Sequence, residues 1–145
     1  MLDRAGILSL IPHQGASCLL DRVLDWSEEG VHCLTRAHLD AGNPLRHDGR
    51  LPTICGVELG LQAAALHGAL RGDKAPSRPG YLASLRGVEL AVERLDDASL
   101  GTLTVTATLD QGDKTALIYR FAVLSQGGLV LVQGRGVVVL KGLSA

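Results

Sequence analysis

The chain has 145 residues, 46% of them apolar, and its 14 basic and 15 acidic residues leave a net charge of -1. This length predicts one domain spanning residues 1–145, with too much apolar content for a disordered chain and enough to build one core. A balanced charge argues against a protein that grips nucleic acid through its phosphates, and the four aromatic residues (Trp26, Tyr81, Tyr119, Phe121) make a poor base-stacking platform.

Residues 2–10 predict a short helix running into Ile11-Pro12. Cys18 to Leu24 and Val31 to His38 then read as two strands, joined by a hairpin turn through Trp26-Ser27-Glu28-Glu29-Gly30. Residues 40–52, rich in Gly, Pro, Asn and Asp, predict irregular structure. A long helix follows from Ile54 to Arg71, with Thr53 expected as its N-cap and Gly72 as its C-cap stop. Its apolar residues (Val57, Leu59, Leu61, Ala63 to Leu66, Ala69, Leu70) leave almost no polar side, which predicts a buried helix. Gly56, Gly60 and Gly68 each weaken it by about 1 kcal/mol relative to alanine, so packing must hold it.

Residues 73–80 read as a second loop. Leu82 to Arg94, Thr102 to Leu109, Ala116 to Leu124 and Leu129 to Leu140 read as strands with short connections. Short links require antiparallel neighbours, since a parallel crossover needs about a dozen residues or more. The expected order is therefore β-β-α-β-β-β-β, an α+β domain in which one antiparallel sheet wraps around one long central helix. That is the hot-dog arrangement. Its open edges predict association by sheet extension.

No run of about 18 apolar residues occurs, and the N-terminus lacks a signal-type apolar region, so neither a membrane span nor secretion is expected. Cys18, Cys33 and Cys55 form an odd set without C-x-x-C spacing and read as free thiols of a reducing, cytoplasmic compartment. His32 and His38, evenly spaced on one predicted strand, would share a face, but no third ligand accompanies them and no metal site is assigned.

Glu58 is the first candidate for chemistry, as a carboxylate on an otherwise apolar helix. Burial would raise its pKa, and Gln62, one turn later on the same face, could hold it. A carboxylate that merely complements the helix dipole is the competing reading. His13, in Pro12-His13-Gln14-Gly15, and His47, in Arg46-His47-Asp48-Gly49, lie in loops, where active groups collect on a rigid scaffold. His67 falls nine residues after Glu58, about 180° around the helix, and is expected to be structural. Cys55 reads as a small buried residue near the helix start.

Pro12-His13 followed by Leu19-Leu20-Asp21-Arg22-Val23 resembles the opening stretch of the 3-hydroxyacyl-[acyl-carrier-protein] dehydratases of the hot-dog superfamily. Leu51-Pro52, Glu58 and Gln62 resemble that family's M-P-G-V-x-x-x-E-A-x-A-Q stretch, with Thr53 in place of the glycine. The segment from Gly80-Tyr81-Leu82-Ala83-Ser84-Leu85-Arg86 onward is similar to the branch of predicted dehydratases associated with aryl polyene gene clusters.

The resemblance implies dehydration of a 3-hydroxyacyl thioester to a trans-2-enoyl thioester, with a histidine as base and Glu58 as acid. Gln62, Thr53 and Gly56 would contact substrate, and helix N-terminal amides would polarise the thioester carbonyl. It implies no cofactor, the acyl chain being carried on the phosphopantetheine of an acyl carrier protein. It also implies a homodimer or higher hot-dog oligomer, or a hetero-oligomer with another hot-dog protein, with the two catalytic groups drawn from opposite subunits. Arg46, Arg71, Arg78 and Arg86 are candidate contacts for phosphate or for the carrier's acidic groups. The family's G-H-F-P histidine falls, by ungapped counting from Glu58, on Pro44, which leaves His13 and His47 as candidate bases. A hot-dog acyl thioesterase and a non-catalytic hot-dog partner subunit that binds carrier-linked chains are the alternatives.

Overall fold

A computed structural model describes residues 2–72, 80–113 and 115–140. A short helix α1 (Arg4–Leu8) precedes strands β1 (Arg22–Trp26) and β2 (Gly30–Thr35). The long helix α2 (Gly56–Arg71) comes next, and then β3 (Gly80–Leu90), β4 (Leu103–Gly112), β5 (Ala116–Leu124) and β6 (Val130–Leu140). The six strands form one sheet in the order β1-β2-β4-β5-β6-β3, antiparallel at every pairing. Helix α2 lies over β2, β4, β5 and β6. The expected α+β hot-dog architecture is therefore present.

The core is the space between α2 and the sheet. Val105, Ala107, Tyr119, Phe121, Val123 and Val132 face the helix from β4, β5 and β6, against Leu59, Ala63 and Leu66. Alternation along β4 follows the two-residue period of a half-buried strand: Leu103, Val105 and Ala107 are buried, while Thr104, Thr106 and Thr108 face the other way. The weak, glycine-rich helix is held by close approach. Gly60 sits directly on the Phe121 ring, and Gly56 lies against Val132.

Four expectations need correction. The first strand begins at Arg22 and not at Cys18, because the Leu19 backbone bonds to side chains instead of a ladder. Leu19 N–H donates to Gln62 Oε1 (2.8 Å), and its carbonyl accepts from Thr35 Oγ1 (2.6 Å). The second strand stops at Thr35, so His38 does not share a strand face with His32; it is buried in a 3-10 turn, Ala37–Leu39. Thr53 is not the N-cap of the long helix. A 3-10 turn (Thr53–Cys55) leads into α2, and the Thr53 hydroxyl donates to the Val92 carbonyl (2.6 Å). The strand predicted over Leu82 to Arg94 runs from Gly80 to Leu90. Gly72 does end α2, with its N–H on the Gly68 carbonyl. The loop predicted at 73–80 lies almost wholly outside the described residues.

The start of α2 is anchored from the sheet side. Asp96, nearly buried, accepts from Leu51 N–H (3.0 Å) and pairs with Arg94, whose hydrogen bond holds the carboxyl well below its usual range. Thr53 N–H donates to the Glu93 carbonyl (3.3 Å).

Gly60→Ala measures how tightly α2 is seated. Higher helix propensity would stabilise by about 1 kcal/mol, whereas a Cβ only 2.8 Å from Phe121 Cβ overpacks the core at a cost of about 1–3 kcal/mol. Overpacking wins. Thermal denaturation is expected to show a lower Tm, partly restored by adding Phe121→Leu, and a raised Tm would contradict this packing.

Candidate active site

The site is assembled by the segment between α1 and β1. Asp3 caps α1 through Gly6 N–H (2.9 Å), and Arg4 reaches forward to the carbonyls of Gly15 (2.8 Å) and Cys18 (2.9 Å). Gln14 Nε2 donates to the carbonyls of Leu8 and Ile11. These clamps fix the loop that carries His13. Gln62, 1% exposed, ties the same segment to α2: its amide donates to the Ser17 carbonyl (2.8 Å) and to Glu58 Oε1 (3.2 Å), and its oxygen accepts from Leu19 N–H.

His13 Nε2 lies 3.4 Å from Glu58 Oε1. Their side chains are 32% and 37% exposed. Glu58 is therefore half-buried in this chain and not sequestered as its apolar helix suggested, so solvent or a substrate can reach the carboxylate. The other ring nitrogen of His13, Nδ1, is buried and has no hydrogen-bond partner among the described residues. Only Nε2 is left to meet a reacting group, and it faces the carboxylate. Ile54, in the 3-10 turn four residues before Glu58, is 52% exposed.

His47 stands elsewhere. It closes a tight turn with Arg50 (His47 N–H to the Arg50 carbonyl, 2.7 Å), is almost fully exposed, and has Asp48 as its neighbour at 3.4 Å. Asp48 (φ 52°) and Gly49 (φ 74°) take the left-handed conformations that such a turn demands. Of the two candidate histidines, the fold brings His13 to Glu58 within the one chain described.

The other candidates stand away from the His13–Glu58 pair or make contacts within the scaffold. Thr53 and Gly56 shape the entry to α2; the Gly56 N–H is accepted by the Thr53 carbonyl, and the Thr53 hydroxyl is engaged with Val92. Arg46 binds the carbonyls of His38 and Gly49, and Arg71 pairs with Glu28 (3.3 Å). Arg78 lies outside the described residues, and Arg86 is exposed. Cys18, Cys33 and Cys55 are free thiols; burial pushes Cys33 up to about 12, and Cys55, half-buried, is also raised by desolvation. Among the described residues no cluster of three or more His, Cys, Asp or Glu could hold a metal ion, and no helix is long and apolar enough to cross a membrane.

The clamps of Arg4 and Gln14 had no sequence signal beyond their polarity, because both bind backbone carbonyls that only the folded loop presents. His67 is structural, as its phase on the helix suggested. It is fully buried, with Nδ1 2.8 Å from the Tyr119 hydroxyl and Nε2 2.8 Å from the Ser27 carbonyl. Burial pushes the Tyr119 phenol up to about 12 and lowers the pKa of His67.

A family model for ApeP-like dehydratases matches residues 5–140. The chain belongs to the ApeP-like dehydratase family. A search of curated proteins gave no match. Among solved structures, the dehydratase heterocomplex ApeI:P from Xenorhabdus doucetiae is similar with a TM-score of 0.80 at 23% identity, over 94% of this chain and 91% of that one. A thioesterase from Haemophilus influenzae is similar with a TM-score of 0.70 at 12% identity, covering 100% and 94%. A hypothetical thioesterase solved with coenzyme A, from Streptococcus pneumoniae, gives 0.61 at 14% identity, covering 85% and 87%. At these identities the solved structures establish the hot-dog fold, and the family model establishes the dehydratase family.

The buried histidines set an acid limit on stability. Desolvation is the main cause that lowers the pKa of both His38 and His67, so each is neutral in the folded state and takes up a proton more readily when unfolded. Their stabilising contribution is complete above the unfolded value of about 6.5 and declines as pH falls towards the lowered folded values. Thermal melts are expected to show a Tm that is level above pH 7 and falls below about 6.5. His67→Gln should flatten that fall while lowering Tm at neutral pH, and an unchanged acid slope would contradict the assignment.

Proposed function

We propose that this protein dehydrates a 3-hydroxyacyl thioester carried on an acyl carrier protein, with His13 as base and Glu58 as acid. The observation that carries this reading is the 3.4 Å approach of His13 Nε2 to Glu58 Oε1 on the Gln62 tie, in a chain of a dehydratase family. Nε2 removes the proton at C2 of the acyl chain; the C2–C3 double bond forms as the C3–O bond breaks; Glu58 gives its proton to the departing hydroxyl, and water leaves. The product is a trans-2-enoyl thioester. A proton then passes from the imidazolium to the carboxylate across the short gap, restoring both groups. Because base and acid stand side by side, both act on one face of the substrate, which corresponds to a syn elimination. No metal or organic cofactor enters this scheme.

Edge strand β3 is the expected docking edge for a second hot-dog subunit, identical or different. Leu82, Leu85 and Leu90 are exposed along it, and an uncovered edge with apolar side chains invites pairing. The heterocomplex formed by the Xenorhabdus relative supports a mixed pair as one such assembly. Such a partner would also shield the half-exposed carboxylate from water.

A thioesterase is the second reading, favoured by the solvent access of Glu58, which could activate water directly. The product decides between them: an enoyl thioester for the dehydratase, a free acid and thiol for the thioesterase. Glu58→Gln is expected to keep the fold and lower turnover at least 100-fold, since general acid catalysis contributes about 10²–10⁴. His13→Ala should lower it comparably, while His47→Ala leaves it unchanged. Full activity of His13→Ala with loss in Glu58→Gln would replace the dehydratase by the thioesterase.

A further inference from the structure

The 3-10 turn Ala37–Leu39 holds a histidine that the site chemistry does not use. His38 is 1% exposed, and neither of its ring nitrogens has a hydrogen-bond partner among the described residues. The Gly101 backbone comes near the ring without closing such a bond. Arg46 Nε is buried and unpartnered in the same way, while the other guanidinium nitrogens reach the carbonyls of His38 (3.1 Å) and Gly49 (3.0 Å). The charged groups that face the ring are Arg36 and Arg46, which disfavour a cation there, and Asp21, which favours one; Asp96 stands 4.0 Å from Arg46. Three unpartnered polar atoms beside two guanidinium groups are a cost of closing this part of the fold, because water would satisfy each of them once it opened.

The segment around His38 can open as a unit. Between Arg36 and Arg50 it has no strand, and most of its hydrogen bonds close on itself: Leu39 N–H on the Arg36 carbonyl, Asp40 on Ala37, Asn43 on Asp40, Arg46 on Asn43, and His47 with Arg50. Its ties to the rest are fewer: Arg36 N–H to Asp21 Oδ2 (2.7 Å), Ala37 N–H to Thr35 Oγ1 (2.9 Å), and the Arg36 guanidinium to the Thr102 hydroxyl (3.0 Å). Two of these partners belong to the scaffold of the candidate site. Asp21 pairs with Arg4 (3.7 Å), and the Thr35 hydroxyl donates to the carbonyl of Leu19, whose N–H is held by Gln62. We propose that uncharged His38 is a pH-sensitive latch: protonation of its ring opens residues 36–50 before the domain unfolds and loosens the segment that carries His13. The inference holds whichever reaction the site performs. Inside the closed turn a protonated ring would be cut off from water and would meet two guanidinium groups against one carboxylate. Desolvation is the largest cause that lowers the pKa of the closed ring, with Arg36 and Arg46 adding to it, whereas an opened ring titrates near its ordinary value of about 6.5. Opening is therefore favoured as pH falls below about 6.5 and disfavoured above it. A segment with so few outside ties opens at a lower free energy than the core strands.

Amide hydrogen exchange on the intact chain, corrected for the intrinsic pH dependence of the exchange chemistry, tests this. From about pH 7.5 to about 5.5 the amides of Leu39, Asp40, Asn43 and Arg46 are expected to lose up to about tenfold in protection, the ratio set by a ring that titrates near 6.5 when open. The Leu19 amide should follow, and the amides of β4 and β5 should keep their protection. His38→Gln should remove the pH dependence. Unchanged protection in 36–50, a parallel loss across β4 and β5, or the same loss in His38→Gln would overturn the proposal, and an unmoved Leu19 amide would overturn its link to the site. Should His38→Gln fail to fold, the wild-type chain still decides. Its His38 ring, followed by NMR, must take up a proton over the pH range in which 36–50 opens, and protonation without loss of protection would overturn the latch.

Discussion

A single buried amide joins the two halves of this molecule that matter. Gln62 has almost no contact with solvent, so every hydrogen bond it fails to make would cost about 1–3 kcal/mol. It makes three: to Leu19 N–H, to the Ser17 carbonyl and to Glu58. That bonding pattern holds the N-terminal segment against the helix and draws Leu19 out of the β1 ladder. It also sets the position of one Glu58 oxygen. The proximity of His13 to Glu58 is a consequence, since the loop that carries His13 is fixed at its other points by Arg4 and Gln14.

The helix that carries Glu58 is itself dependent on the sheet. Its glycines weaken it as an isolated segment, yet they let Phe121 and Val132 approach its backbone, and burial against β4, β5 and β6 compensates. A carboxylate placed on such a helix cannot drift, because the helix cannot roll without opening the core. The sheet in turn offers two different exterior surfaces: an apolar edge at β3 suited to another hot-dog chain, and a polar outer face.

Much of this was legible in the sequence. Strand alternation in Thr102 to Leu109 and short connections fixed the antiparallel sheet, and the all-round apolar helix had to be central. Glu58 with Gln62 one turn on was readable because helical spacing is local. The termini of elements were not readable where a side chain replaces a backbone partner, as Gln62 and Thr35 do at Leu19 and as Thr53 does at Val92. The proximity of His13 to Glu58 was not readable from spacing, because it depends on contacts between residues far apart in the chain.

Subunit complementation tests the central claim, that base and acid belong to one chain, most directly. Glu58→Gln and His13→Ala chains would be co-expressed, purified as a mixed assembly, and assayed for hydration of an enoyl thioester. With His13 and Glu58 paired within each protomer, every site in the mixture lacks one group, and activity stays at the level of the single variants. Recovery of a substantial fraction of wild-type activity would mean that intact sites form across subunits, and would contradict the pairing described for Glu58 and His13.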